Sequence, residues 1–89
     1  MKFYVYLICT KNNNNRLISY VGYTNDLKRR IYLHNNSKGA KFTKGRKWKL
    51  LFKKEFLIKK EAMKYEYKLK KDQLTRSIIK KKYLLNEEN

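Results

Sequence analysis

Hydrophobic residues are concentrated in two runs near the start of the chain, with a strongly polar segment between them. Residues 3–9 are mostly β-branched or aromatic with little polar alternation, which predicts a strand covered on both faces. Residues 17–23 predict a second strand. The link from Lys11 to Arg16 contains four consecutive asparagines, which is typical of an exposed turn. Because this link is short, we expect the strands to form an antiparallel hairpin.

The period of the pattern then changes to that of a helix. Thr24 or Asn25 is the expected N-cap, with Asp26 in the first turn, and the helix is predicted to end at about Asn35. At about 100° per residue, one arc of this helix contains Leu27, Arg30, Ile31 and His34. An arginine and the only histidine of the chain therefore lie on or beside the buried stripe.

The rest of the chain predicts a loop, a strand and a helix. Residues 36–46 contain glycines and lysines and predict a basic loop, and residues 48–56 predict a third strand. Residues 58–71 predict a helix with Ile58, Ala62, Tyr65, Glu66 and Leu69 on one face. Glu66 thus interrupts an otherwise apolar stripe.

The C-terminal segment predicts a last short helix with Thr75 as its cap. Its apolar side would consist of Ile78, Ile79, Tyr83 and Leu84. We predict one small domain over residues 1–85, followed by a frayed tail over residues 86–89.

The charge balance is strongly positive. There are 24 Lys and Arg residues against 7 Asp and Glu, giving a net charge of +17. Such self-repulsion favours a polyanionic partner, with nucleic acid as the first interpretation and a membrane surface as the second. An AT-rich genome would explain part of the lysine content, but it does not explain the shortage of acidic residues.

The single cysteine, Cys9, excludes an internal disulfide and a cysteine-based zinc site, and its position in a strand favours a small buried side chain. No apolar run approaches the roughly 20 residues of a transmembrane helix. The first residues predict a strand and lack a signal-peptide cleavage pattern. From these features we predict a cytoplasmic protein that does not bind membranes.

The candidate chemistry begins with Glu66, because an unpaired carboxylate on an apolar helix face is costly to bury. It either forms an ion pair with a lysine or Arg30, or binds a hard divalent metal. Arg30 and His34 are spaced i,i+4 and lie side by side on their helix. They are either a surface pair without chemistry or a phosphate clamp with a proton relay.

Side-chain alternation places Tyr4 and Tyr6 on one face of the first strand, and Tyr20 and Gly22 on one face of the second. Gly22 leaves room for a close approach to the sheet. Each tyrosine, taken singly, is explained by sheet packing. A nearby cation or metal would lower the phenol pKa from about 10 and make a tyrosine usable as a base.

The chain contains Tyr4-Val5-Tyr6, then Tyr20-Val21-Gly22-Tyr23-Thr24-Asn25-Asp26-Leu27-Lys28-Arg29-Arg30, then His34-Asn35. This series resembles the GIY-YIG nuclease superfamily, and within it the small single-domain bacterial members related to the nuclease domain of UvrC. The segments 39–43 and 62–67 also fit this subgroup, so the resemblance covers residues 2–75. The first motif of the family opens with glycine, where this sequence has Tyr4.

The resemblance implies an α+β fold with a three-stranded antiparallel sheet flanked by helices, in the order β-β-α-β-α, before the short C-terminal helix. It also implies hydrolysis of DNA phosphodiester bonds with a single Mg²⁺ or Mn²⁺. By matched position, Tyr20 is the general base and Tyr6 orients water or phosphate. Arg30 binds the scissile phosphate, His34 assists proton movement or holds the phosphate, and Glu66 binds the metal.

The sequence has no length to spare for a separate DNA-binding domain, so we expect the domain surface to select the target. The candidate nucleic-acid contacts are Lys38, Lys41, Phe42, Lys44, Arg46, Lys47 and Trp48. Phe42 and Trp48 would stack on unpaired bases, although Trp48 also fits a core position at a strand start.

We therefore predict an endonuclease for single-stranded, flap or branched DNA, of the kind used in DNA repair, with no obligate protein partner. The alternatives are a nucleic-acid-binding module of the same fold that does not cleave, and a basic antitoxin or ribosome-associated protein. The last of these would not need Arg30, His34 and Glu66 to converge.

Overall fold

A strand hairpin, a helix, a third strand and two further helices follow one another along the chain. The computed structural model describes residues 1–88, with side chains through residue 85. The elements are β1 (Phe3–Lys11), β2 (Leu17–Thr24), α1 (Leu27–Asn35), a single 3₁₀ turn (Lys41–Thr43), β3 (Lys49–Phe56), α2 (Lys59–Lys71) and α3 (Gln73–Glu88). The predicted α+β fold and its order of elements are confirmed.

The sheet is antiparallel with the order β2-β1-β3, so β1 is the central strand. Residues 5–9 of β1 are buried, which confirms that both of its faces are covered. The β1–β2 register sets Tyr6 opposite Gly22 and Ile8 opposite Tyr20. Since alternate residues share a face, Tyr6 and Tyr20 lie on the same side of the sheet.

Two hydrophobic clusters cover the two faces of the sheet. On one face, α1 packs over Tyr6 and Ile8 through Leu27 and Ile31. On the other face, α2 and α3 contribute to a cluster of Val5, Leu7, Val21, Ala62, Leu69, Tyr65 and Ile79. Among the residues that the structure describes, β2 pairs with β1 alone and forms one edge of the sheet.

Three predicted details of the helices are wrong. Asp26, rather than Thr24 or Asn25, caps α1, because its side chain accepts a hydrogen bond from the Arg29 amide. Ile58, predicted on the apolar face of the second long helix, is 55% exposed. It precedes the first residue of α2 and does not join the core.

The C-terminal helix is also longer than predicted and begins earlier. It spans 16 residues, and its first turn is held by Asp72, whose carboxylate accepts from the Thr75 amide at 3.0 Å and the Thr75 hydroxyl at 2.6 Å. Ile79 and Tyr83 are half-buried as predicted, while Ile78 and Leu84 are exposed. Asn89 and the side chains of residues 86–88 lie outside the described residues, so the frayed tail stays a prediction.

Within residues 1–88, no helix combines the length and the apolar character needed to cross a membrane.

Candidate active site

The Tyr6 hydroxyl is the centre of a buried hydrogen-bond network between β1 and α1. It lies 2.7 Å from His34 Nε2, and the Arg30 Nε–H donates to it at 3.4 Å. Tyr6 is 0% exposed, and His34 is also fully buried. The face of α1 predicted to carry Arg30 and His34 therefore packs against the sheet. Both side chains contact the hydroxyl oxygen of Tyr6.

The second nitrogen of the imidazole is held by the loop that follows α1. His34 Nδ1 lies 2.9 Å from Thr43 Oγ1, and the Thr43 hydroxyl donates to the carbonyl of Ala40 at 2.8 Å. Thr43 is fully buried. The 3₁₀ turn thus closes over the imidazole and fixes its orientation from the side opposite Tyr6.

Two glycines make room for this network. A Cβ at Gly22 would overlap the Tyr6 hydroxyl, because the phenol ring lies directly across the glycine on the neighbouring strand. A Cβ at Gly39 would overlap His34 Nδ1. Gly22 therefore allows a close approach to the sheet, as predicted from the sequence. The group that approaches is the Tyr6 side chain of the protein itself.

Tyr20 borders the network on β2. Its ring centroid lies 5.2 Å from that of His34, and its hydroxyl is one of the groups that raise the pKa of Arg30. A cavity of about 220 Å³ opens beside it, lined in part by Phe42 from the loop, Lys70 from α2 and Arg76 from α3. The half-buried Tyr20 is thus adjacent to open space at the β2 edge, which the fully buried Tyr6 is not.

Glu66 approaches the same edge from α2. Its side chain is 18% exposed and lies 3.6 Å from Lys70, one of the pairings that the sequence left open. Its charge also contributes to raising the pKa of the Tyr6 hydroxyl, so the carboxylate and the phenol are close enough to interact electrostatically. Arg30, through a hydrogen bond, and Glu66, through its charge, therefore both influence the Tyr6 hydroxyl.

Burial and neighbouring charges set the protonation of this cluster. Burial raises the pKa of Tyr6 to about 12, against the opposing effect of Arg30. The hydrogen bond to Tyr6 raises the pKa of Arg30, while burial followed by the Arg30 charge lowers the pKa of His34 to about 4. At neutral pH, Tyr6 and His34 are consequently neutral and Arg30 is charged.

The lowered pKa of His34 makes stability depend on pH. The unfolded chain binds a proton at His34 near pH 6.5, but the folded chain does so only near pH 4, so stability falls as the pH decreases through this interval. We expect a loss of about 2 kcal/mol between pH 7 and pH 5 from this group. Urea denaturation at both pH values measures it. The loss should be absent in His34→Gln, and an equal loss in that variant would contradict the assignment.

The single carboxylate of Glu66 suits a cation, such as Mg²⁺, that needs few ligands from the protein. Among the residues that the structure describes, no three or more His, Cys, Asp or Glu side chains come together as a metal-binding group. Magnesium is commonly held by one or two carboxylates while it keeps several waters and takes phosphate oxygens from the substrate. A single half-buried carboxylate within electrostatic reach of the Tyr6 hydroxyl fits that mode of binding, and it does not fit a site built from protein ligands alone.

The predicted nucleic-acid contacts separate into surface residues and one core residue. Phe42 is 53% exposed, stacks on Tyr20 at a centroid distance of 6.3 Å, and has the Arg46 guanidinium 5.3 Å from its ring. The lysines of this set are also exposed, at positions Lys38, Lys41, Lys44 and Lys47.

Trp48 does not offer a free ring to a base. It is 4% exposed, and its indole N–H donates to the carbonyl of Thr43 at 3.0 Å. Its backbone is also bound on both sides by Asn35, whose side chain accepts from the Trp48 amide and donates to the Trp48 carbonyl. This corrects the expectation of base stacking, because the indole is part of the core that holds the loop in place.

Sequence reasoning assigns no functional role to three residues that support His34. Thr43 binds the imidazole, Gly39 leaves room for it, and Asn35 ties the loop to Trp48. A partial signal was present, since a buried histidine needs a partner for each ring nitrogen and Thr43 lies in a segment that matched the family. For Asn35, the signal was weaker, because its partner Trp48 is remote in the chain.

The amino-acid sequence matches one protein family over most of its length. Residues 2–83 match the sequence profile of the GIY-YIG catalytic domain. UPF0213 protein YazA from Bacillus subtilis (strain 168) is 46% identical over 86 residues, which cover 96% of this chain and 78% of that protein. UPF0213 protein RBAM_000440 from Bacillus velezensis is 47% identical over 75 residues, covering 83% and 69%.

A solved structure is also similar to this chain. The solution NMR structure of the UPF0213 protein BH0048 from Bacillus halodurans shares 37% sequence identity. The match covers 97% of this chain and 84% of that one, with a TM-score of 0.46.

Proposed function

The chain belongs to the GIY-YIG family, and from this premise we propose that it is a divalent-metal-dependent endonuclease that hydrolyses phosphodiester bonds in DNA. The observation that carries the proposal is the shared environment of the Tyr6 hydroxyl, which is acted on by Arg30, His34, Tyr20 and Glu66. This cluster combines the fixed positive charge of Arg30, two tyrosine side chains, a neutral imidazole and one carboxylate near the β2 edge of the sheet.

Each residue has a role that follows from its surroundings. Arg30 is charged and oriented by Tyr6, so it holds the scissile phosphate and offsets the charge that develops on its oxygens. Tyr20 borders the cavity and removes the proton from the attacking water. Tyr6 and His34 form the buried support that aligns these groups, through the hydrogen bond between the Tyr6 hydroxyl and His34 Nε2.

Glu66 is the proposed metal ligand. Mg²⁺ or Mn²⁺, when bound there with water and substrate oxygens, would stabilise the negative charge on the leaving oxygen. The pairing of Glu66 with Lys70 is compatible with this role, because an exposed lysine on a helix surface is readily displaced and contributes little.

Single-stranded, flap or branched DNA is the proposed substrate, as used in DNA repair in the cytoplasm. The exposed Phe42 ring beside Tyr20 suits an unpaired base, and the exposed lysines of the same loop suit the phosphates next to it. A module that binds DNA without cutting it is the competing outcome of the experiment below.

The test is a cleavage assay on end-labelled single-stranded, branched and duplex DNA with Mg²⁺, Mn²⁺ or a chelator. We expect metal-dependent nicking, strongest on the first two substrates. Tyr20→Phe should lower the rate roughly 100-fold because it removes the base, while DNA binding measured by anisotropy persists. Tyr32→Phe, at an exposed position of α1, is the matched control. Binding without cleavage under every metal condition would contradict the nuclease assignment.

A further inference from the structure

A groove with basic walls opens at the end of the sheet where β1 turns into β2. Its volume is about 620 Å³. Lys11 and the asparagine turn form one wall, and the segment of residues 44–47 forms the other. Lys11 lies five residues along β1 from Tyr6, roughly 16 Å away at strand spacing. Among the described residues no carboxylate lines the groove, so its potential favours a polyanion.

Arg46 joins this groove to the candidate active site. It lines the groove, and its guanidinium lies 5.3 Å from the Phe42 ring, which in turn stacks 6.3 Å from Tyr20. Each of these steps is longer than the roughly 3.4 Å between successive nucleotides of a stacked strand. The path from Tyr20 through Phe42 and Arg46 into the groove therefore spans a few nucleotides.

We infer that the groove binds the backbone of an unpaired DNA strand a few nucleotides away from the phosphate that is cut. The inference rests on the proposed function for the position of the cut. A single strand is favoured over a duplex because the Phe42 ring is 53% exposed and can contact an unstacked base, while Lys11, Lys44 and Arg46 line the groove for the backbone that follows. In a duplex, the bases stack on one another and leave Phe42 without a partner.

The test measures binding of a fluorescent 12-nucleotide oligothymidylate in a chelator, so that no cleavage is required. The variant Lys11→Gln/Lys44→Gln removes two charges and leaves Lys47 in place, because the Lys47 ammonium donates to the Asn35 carbonyl. We expect affinity at 0.1 M salt to fall roughly 10- to 30-fold, and the log–log salt slope to decrease in magnitude by about 1.4. The variant Lys60→Gln/Lys64→Gln removes the same charge from the exposed side of α2 and is the control.

A slope change that is the same in both double variants would overturn the inference, because the effect would then follow net charge and not the groove. An equal loss of affinity for a blunt 12-base-pair duplex would overturn the assignment to a single strand. Because binding is measured without metal, a protein that binds as expected and never cleaves would refute the proposed function and leave the groove assignment intact.

A separate observation concerns the protons in the buried network. The Thr43 hydroxyl has one hydrogen, which it donates to the Ala40 carbonyl. Its oxygen can then serve His34 Nδ1 only as an acceptor, so Nδ1 carries the imidazole hydrogen. Nε2 is left with a lone pair, and it accepts from the Tyr6 hydroxyl, whose oxygen in turn accepts from Arg30.

The geometry points to Thr43 as a positioning residue that sets the tautomer of His34. With Nε2 unprotonated, the imidazole faces Tyr6 as an acceptor, so the phenol donates its hydrogen to Nε2 and its oxygen accepts from Arg30. If Nε2 carried the hydrogen, the Tyr6 oxygen would receive two donors, and its own hydrogen would have no acceptor in this network. The contribution of this orientation to cleavage rests on the proposed function, but the tautomer does not.

The test uses ¹⁵N NMR of protein labelled at histidine, where His34 gives the only signals because the chain has one histidine. At pH 7, we expect Nδ1 to be protonated and Nε2 to be bare in the wild type and in Thr43→Ser. In Thr43→Val, the tautomer should become mixed or reversed while circular dichroism stays unchanged. A protonated Nε2 in the wild type, or an unchanged spectrum in folded Thr43→Val, would overturn this assignment whether or not the protein cleaves DNA.

Discussion

We expect Glu66→Gln to lower the rate of metal-dependent DNA cleavage by roughly 1,000-fold, because it removes the carboxylate proposed to hold the cation and with it several kcal/mol of transition-state stabilisation. The substitution preserves the size of a side chain that is half-buried on α2. It leaves Arg30, His34 and Tyr20 in place, so the fold and metal-free DNA binding should be retained. Single-turnover cleavage across a range of Mn²⁺ concentrations measures the effect.

Glu61→Gln provides the matched control, because Glu61 is exposed in the first turn of the same helix. It should cleave at the wild-type rate. If Glu66→Gln cleaves within tenfold of the wild type at low metal concentration, then Glu66 is not the metal ligand. The role of this carboxylate would then be limited to its pairing with Lys70 and its effect on the tyrosine.

Much of the fold follows from local pattern. Residues 3–9 are apolar on both faces, and a strand of that kind must lie in the centre of a covered sheet, as β1 does. The helical period of α1 places Arg30 and His34 on the stripe that faces the sheet, and the structure has them there. The pattern also predicts that Glu66 needs a partner, because it is a carboxylate among apolar positions, and the structure pairs it with Lys70.

The parts that could not be predicted depend on contacts between remote residues. Nothing in the local pattern of residues 36–47 indicates that the loop folds back over the imidazole. That conformation is held by the bonds of Asn35 to Trp48 and of Thr43 to His34. The same contacts bury Trp48, whose position at a strand start was compatible with either the surface or the core.

Helix ends were misassigned for a different reason, which is that neighbouring residues offered competing caps. The Thr24 hydroxyl accepts a hydrogen bond from the Asp26 amide, and the Asp26 carboxylate accepts one from the Arg29 amide. Both side chains therefore bind backbone amides near the start of α1, but only Asp26 is the N-cap. At the start of α3, the Thr75 hydroxyl and the Thr75 amide both donate to the carboxylate of Asp72. Asp72 is therefore the residue that caps the first turn. Sequence alone ranks Thr, Asn and Asp too closely to choose between such positions.

The close packing of Tyr6 against Gly22 leads to a second large effect, in Gly22→Ala. The new methyl group overlaps a hydroxyl that is already fixed by His34 and Arg30, so the phenol has to move and both partners move with it. We expect cleavage to fall roughly 100- to 1,000-fold, because displacements of about 1 Å in an active site are costly. Stability should fall by about 1–3 kcal/mol, as is typical of overpacking. Cleavage kinetics and urea denaturation measure the two effects.

The double variant Gly22→Ala/Tyr6→Phe separates the steric cause from a general weakness of β2. Removing the hydroxyl relieves part of the overlap, so the double variant should be more stable than additivity of the two single variants predicts. It should remain inactive, because Arg30 and His34 both lose the oxygen that aligns them. Additive losses of stability would mean that the methyl group acts on the strand and not on Tyr6, and the glycine would then have no connection with the chemistry of the site.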